Sequence, residues 1–359
     1  MVTGFARFGT AVRVQKAMEQ LVASGDLVRV ARGIYCYPKI DKVFGLGVLT
    51  IFVYVVNNMQ NNMNILDFLG LSALQMETLT VLCIIAACSA AYCFIVGEIT
   101  RNNSQMDKLW SILPAVYAWV VACKGGLDAR LVVMAVLATV WGARLTFNFA
   151  LKGAYTWKFW SGEEDYRWPW LRARKEFQPR WKWVIFDFLF ISIYQNLLVM
   201  LTTLPAVAAM ETSNQFGGWP DLVAAVLMMG FIAYEAVADI QQWRFQSTKW
   251  NMIHSGKKLE ELPYPYNLGF NTSGLWRYSR HPNYLGEQSV WVSFYLFSIA
   301  AGAGILNWSI CGAVLLILLF LGSSTLGEYI SKSKYPEYGN YVKTVNRFFP
   351  GRPYGKSKY

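Results

Sequence analysis

Charge is what this sequence lacks most. Only 15% of its 359 residues are Asp, Glu, Lys or Arg, against about a quarter in a typical soluble domain. That shortage excludes an ordinary soluble globular fold. Histidine is almost missing, with only His254 and His281 present. The six cysteines, at positions 36, 83, 88, 93, 123 and 311, form no Cys-x-x-Cys pair. Metal centres draw on closely spaced Cys and His ligands, so no metal site is expected. The cysteines read instead as small apolar residues in a reducing or lipid setting. No basic start followed by a short apolar core opens the chain, so a cleavable signal peptide is not expected.

Apolar surface is abundant: 55% of the residues are hydrophobic and 16% aromatic. Uncharged runs cover residues 43–66, 78–97, 188–210 and 288–327. A membrane span needs roughly 20 apolar residues, and the last run is long enough for two. The expected fold class is an all-α polytopic membrane protein with seven or eight transmembrane helices. The expected spans lie near 44–58, 76–97, 108–124, 130–151, 183–207, 219–243, 288–303 and 306–327. Alternating sides from a cytoplasmic N-terminus leaves only Lys124 and Arg130 in outer loops. This satisfies the positive-inside rule and places both termini in the cytoplasm, with the lipid bilayer as the principal partner. The net charge of +11 then marks one face of the membrane rather than a nucleic-acid surface. A multi-pass protein of a bacterial inner membrane is the expectation.

Residues 1–41 differ from the remainder, 42–359. Val14, Ala17, Met18, Leu21 and Val22 fall on one helical face, and the alternating "LVRVARGIYCYP" reads as a hairpin turning at Arg32-Gly33. Helix plus basic hairpin is a winged-helix-like fragment, and the stretch resembles the winged helix of abortive-infection antitoxin-type regulators. Any nucleic-acid contact would be confined to it, since about forty residues are too few for a full core.

Two long segments between spans, 152–182 and 244–287, exceed what a connector requires. The first carries Glu163-Glu164-Asp165, adjacent carboxylates that repel unless cations such as Arg167 and Lys158 hold them. An ordered loop is expected there. The second ends in "TSGLWRYSRHPNYLGEQSVW". Arg277 and Arg280 offer guanidinium forks suited to phosphate. Asn283 offers a donor and an acceptor, while Trp276, Tyr278 and Tyr284 offer flat faces. Pro282 starts a helix whose free N–H groups favour an anion. Together these describe a nicotinamide dinucleotide; on composition alone, a lipid headgroup fits as well.

"GLWRYSRHPNYLGE" resembles the signature of the steroid 5-alpha reductase-like C-terminal domain family, which is related to the sterol C14 reductases. "NNSQMDKLWSILPAVYAW", "WGARLTFNFALKGAYTWKFWSGEEDYRW", "ADIQQWRF" and "YPEYGNYVKTVNRFFP" follow the same family in the same order, so the resemblance covers roughly residues 70 to 350. It implies NADPH-dependent reduction of a C=C bond in a lipophilic, steroid-, sterol- or isoprenoid-like substrate. The implied cofactor site is Arg144, Asp239, Arg277, Tyr278, Arg280, His281, Asn283, Tyr284 and Glu287, completed by Tyr338 and Arg347. Asn283 and Glu287 would hold the carboxamide, and Arg144, Arg280 and Arg347 the phosphates. The family's substrate-facing Glu and Tyr positions fall at Ile112 or Ser111 and at Trp141. Neither supplies an acid, which leaves Asp107, Tyr117 and Tyr155 as catalytic candidates. Glu235 and Asp239, four apart on one helix face inside a span, are functional suspects by position. The RHP-containing segment is shared with isoprenylcysteine methyltransferases. An S-adenosylmethionine-dependent lipid or prenyl methyltransferase is therefore the alternative expectation, and a membrane-tethered winged-helix regulator the third.

Overall fold

The structure is a computed structural model that describes residues 70–355 except 213, together with the strand residues 28–31 and 34–36. The chain forms two units, Met1–Gly70 and Leu71–Tyr359. In the first, strands β1 (Val28–Ala31) and β2 (Ile34–Cys36) pair antiparallel with Arg29 opposite Tyr35, as the alternating pattern predicts. The helix expected over residues 14–22, the turn at 32–33 and the span expected at 44–58 lie outside the described residues.

The second unit is helical. Six of its helices are long and apolar enough to cross a membrane: α1 (Ala73–Thr100), α2 (Gln105–Lys124), α3 (Ala129–Leu151), α4 (Arg180–Ala208), α5 (Trp219–His254) and α7 (Trp308–Lys334). This is a multi-pass membrane protein. The span expected at 288–303 is found as helix α6 (Pro282–Ala300), but α6 is not one of the six. Asn283, Glu287 and Gln288 in its first half make it too polar to span by composition. It is instead the inner helix of the bundle, with Val290, Phe294 and Phe297 fully buried. A short helix α8 (Tyr338–Thr344) follows α7.

Local sequence sets the breaks. Ser72 and Gln75 form a capping box at the start of α1, and Arg101 ends that helix in the left-handed conformation. Ser111 and Ile112 interrupt α2 before Pro114 restarts it. Small residues then let backbones touch, the usual packing device where lipid offers no hydrophobic drive. A Cβ at Gly142 would lie 2.4 Å from the Ser111 carbonyl oxygen, joining α3 to α2. At Gly312 it would lie 2.2 Å from the Leu201 carbonyl oxygen, joining α7 to α4, and at Gly286 only 2.6 Å from Glu235 Cβ, joining α6 to α5.

One end of the bundle carries the long basic segments. At the other end only Lys124 and Arg130 are basic among the described residues, and both are neutralised. Lys124 pairs with Glu77. Arg130, 2% exposed, holds Asp221 through Nε at 2.7 Å and Nη2 at 3.1 Å and caps the Asn214 and Gln215 carbonyls.

Candidate functional site

The inner faces of α3, α5 and α6 converge on one guanidinium. Arg144, two turns before the end of α3, lies 2.7 Å from both Glu235 Oε2 and Asp239 Oδ2 on α5. Glu287 on α6 is 3.7 Å away. Asn148 Nδ2 donates to Asp239 Oδ2 at 2.9 Å, and Asn283 Nδ2 donates to Asp239 Oδ1 at 3.3 Å. Three indoles from three helices donate to Glu287: Trp110 at 3.3 Å, Trp141 at 3.1 Å and Trp291 at 3.4 Å. The four-residue spacing of Glu235 and Asp239 places both on the face that meets Arg144, as a helix dictates. The cluster is almost closed to solvent, with Glu235, Asp239 and Glu287 3–6% exposed. Three carboxylates thus face one guanidinium in a region where unpaired charge is costly. Two acceptors stand out there. Asn283 Oδ1 is buried and receives no hydrogen bond among the described residues, and Glu235 Oε2 is met by the Arg144 guanidinium alone.

Four of the proposed cofactor residues, Arg144, Asp239, Asn283 and Glu287, therefore meet. Others gather around Glu328 of α7. Arg280 Nε lies 2.8 Å and His281 Nε2 3.1 Å from Glu328 Oε1, with Arg347 Nε at 3.7 Å. Arg280 also donates to the carbonyls of Val342 and Val345. Any phosphate at Arg280 must compete with this buried carboxylate. The His281 ring stacks on Tyr284 at 5.1 Å. Burial lowers the His281 pKa, opposed by its bond to Glu328. Arg277 turns instead to the carbonyls of Tyr354 and Gly355. Tyr278 is exposed, and Tyr338 is packed edge-on against Phe270 in a small aromatic core.

The result is a latch. The C-terminal tail lies alongside "RYSRH", bridged in parallel at Ser279 and Asn346. Backbone N–H groups of Arg280 and His281 donate to the Asn346 and Arg347 carbonyls, both at 3.0 Å. Glu328 was not expected in this role. Its signal was present in the sequence, as the first charge after a forty-residue uncharged run, where an acid at the end of a span needs a partner.

The segment 152–182 is ordered and docks on the junction of α1 and α2. Lys108, fully buried, donates to the Phe159 and Ser161 carbonyls at 2.8 and 2.7 Å, and Gln105 to the Trp160 carbonyl at 2.9 Å. Asp165 pairs with Arg167 as expected, at 2.7 Å. Glu164 is held by Arg172 and by the Asn103 N–H, not by Lys158. Although burial opposes it, Arg167 holds the Asp165 pKa below the usual carboxylate range, whereas burial raises that of Glu164. Glu98, near the end of α1, pairs with Arg180.

The three catalytic candidates occupy three separate places. Asp107 accepts a hydrogen bond from Trp168 Nε1 at 3.0 Å. The Tyr117 hydroxyl is buried in the core with no partner among the described residues. Tyr155 Oη lies 3.1 Å from Ser111 Oγ and from the Lys108 carbonyl oxygen. Thr146 Oγ1 completes this row, donating to Ser111 Oγ at 2.8 Å. Of the positions matching the family's substrate-facing pair, Ser111 thus lies in a hydroxyl row and Trp141 serves Glu287.

The profile of a family described as a protein of unknown function (DUF1295) matches residues 93–345. The chain belongs to this family. Its matched region contains α3, α5, α6 and Glu328, so both clusters, apart from Arg347, lie within the matched residues. A second profile, described as a family of unknown function (DUF6088), matches residues 1–55. An uncharacterized protein of Schizosaccharomyces pombe is 40% identical over 275 residues, covering 72% of this chain and 77% of the relative. No solved structure matches.

Proposed function

We propose that this chain is an integral membrane oxidoreductase that reduces a C=C bond of a lipophilic substrate with NADPH. The observation that carries the reading is the convergence of Arg144, Asp239, Asn283 and Glu287 from three helices, with Asn283 Oδ1 buried and unmatched. That orphan acceptor suits the N–H of a carboxamide, and NADPH, when bound, supplies hydride. Asp239 and Asn148 hold Asn283 and Arg144 in place, and the indole donors fix the Glu287 carboxylate against rotation. At the phosphate end, Arg347 is the least enclosed of the three guanidinium groups proposed there, at 34% side-chain exposure.

A second reading is favoured by the charge balance. Three carboxylates against one guanidinium complement a cationic ligand better than a polyanion, and the S-adenosylmethionine sulfonium is such a cation. Thermal-shift measurements on the detergent-purified chain separate the two. NADPH is expected to raise the melting temperature, and Asn283→Ala to abolish that rise. A rise with S-adenosylmethionine alone removes the reductase reading.

The membrane is proposed to be a bacterial inner membrane, with the basic end and both termini in the cytosol. A C-terminal alkaline phosphatase fusion should be inactive and a green fluorescent protein fusion bright. The reverse pattern contradicts this orientation.

A further inference from the structure

An apolar groove of about 730 Å³ runs between α2 and α3, lined by Ile112, Ala115, Val116, Val120 and Ala143 along its length. Val116 and Trp119 on its rim are exposed. Both walls are helices of membrane-crossing length, so the groove opens sideways toward hydrocarbon, and its occupant must itself be lipophilic. From Ser111 to Cys123 the groove follows the helix for about 18 Å, at 1.5 Å per residue. Midway, Trp119 Nε1 donates to Thr139 Oγ1 at 3.0 Å, so the wall offers no free donor at that point.

Lys124, paired with Glu77, lines one end of the groove, and the hydrogen-bond arithmetic at the other end is specific. Thr146 Oγ1 donates to Ser111 Oγ, Ser111 Oγ donates to the Lys108 carbonyl, and Tyr155 Oη donates to the same carbonyl. All three hydroxyl protons are therefore committed. Thr146, which lines the groove, gives its Oγ1 proton away and receives none from any described residue. Other helical threonines here donate differently: Thr78, Thr80, Thr100, Thr139 and Thr325 each bond the carbonyl four residues back, the usual back-bond of a threonine within a helix. Thr146 is turned away from that bond toward Ser111. An end with free acceptors and no free donors matches a ligand that donates. It is a poor match for a ketone, which can only accept.

We infer that the groove between α2 and α3 binds a long-chain lipid alcohol, its tail lying along Ala115, Val116 and Ala143 and its terminal hydroxyl donating to Thr146 Oγ1. The inference adds a substrate class to the reading above and rests on that reading only in treating the lipid as substrate. Binding is measured by photolabelling of the full chain in lipid nanodiscs with a diazirine-bearing long-chain primary alcohol, alongside its methyl ether, which cannot donate. The alcohol is expected to label α2 or α3 at least tenfold more efficiently than the ether. Thr146→Val should erase that difference, Thr146→Ser should retain it, and Ala143→Phe should block labelling by both probes. Equal labelling by alcohol and ether in the unaltered chain, or alcohol labelling that survives Ala143→Phe, overturns the assignment. NADPH binding followed on the same samples keeps the two ideas apart. Loss of cofactor binding with selective alcohol labelling intact counts against the reductase and leaves the alcohol site standing.

Discussion

Arg144→Ala is expected to be the most damaging single substitution in the bundle. It leaves Glu235, Asp239 and Glu287, all nearly closed to solvent, facing one another with no guanidinium between them. Removing one partner of a buried ion pair costs about 3–5 kcal/mol, and here one guanidinium serves two carboxylates at 2.7 Å. The detergent-solubilised variant should melt well below the parent chain and lose cofactor binding. Adding Glu235→Gln should recover part of the melting temperature without recovering binding, because it removes excess charge but restores no guanidinium. An unchanged melt in Arg144→Ala would mean that the carboxylates do not depend on it.

Arg130→Ala is expected to be comparably severe at the opposite end, for a different reason. Asp221, 3% exposed in the parent chain, would keep the Gly217 N–H at 3.2 Å as its remaining donor among the described residues, and the Asn214 and Gln215 carbonyls would lose theirs. The cost is again about 3–5 kcal/mol. Replacing both partners with apolar residues of similar size, Arg130→Met with Asp221→Leu, should restore most of the stability, since burying no charge costs less than burying one. Thermal melting of the single and double variants decides this. A double variant as unstable as the single would show that the carbonyl caps, rather than the ion pair, hold this end. Neither variant should alter cofactor affinity in the surviving folded fraction, which distinguishes this lock from the Arg144 cluster.

Much of the architecture was legible in one dimension. Hydrocarbon tolerates neither charge nor unsatisfied backbone, so five of the eight expected spans coincide closely with long apolar helices, and a sixth, 108–124, with α2. Arg144, Asp239, Asn283 and Glu287 were singled out together in the sequence, and the fold brings them into one cluster. Glu235 was legible through its spacing from Asp239. The row of Ser111, Thr146 and Tyr155 was only half visible: Tyr155 stood out by type, whereas a serine and a threonine inside apolar helices carry no mark of their own.

What the sequence alone determined is where the chain meets lipid and which end of the bundle is basic, because run length and charge placement need no partner to be read. Tertiary structure decided which charge answers which. Arg280 faces Glu328, Arg277 faces the tail, Arg130 is locked to Asp221, and α6 lies inside the bundle rather than among the candidate spans. The reason is physical. A guanidinium can donate to a carboxylate, a carbonyl or a phosphate, and only the crossing of helices and the return of the C-terminal tail bring one acceptor within reach and leave the others distant.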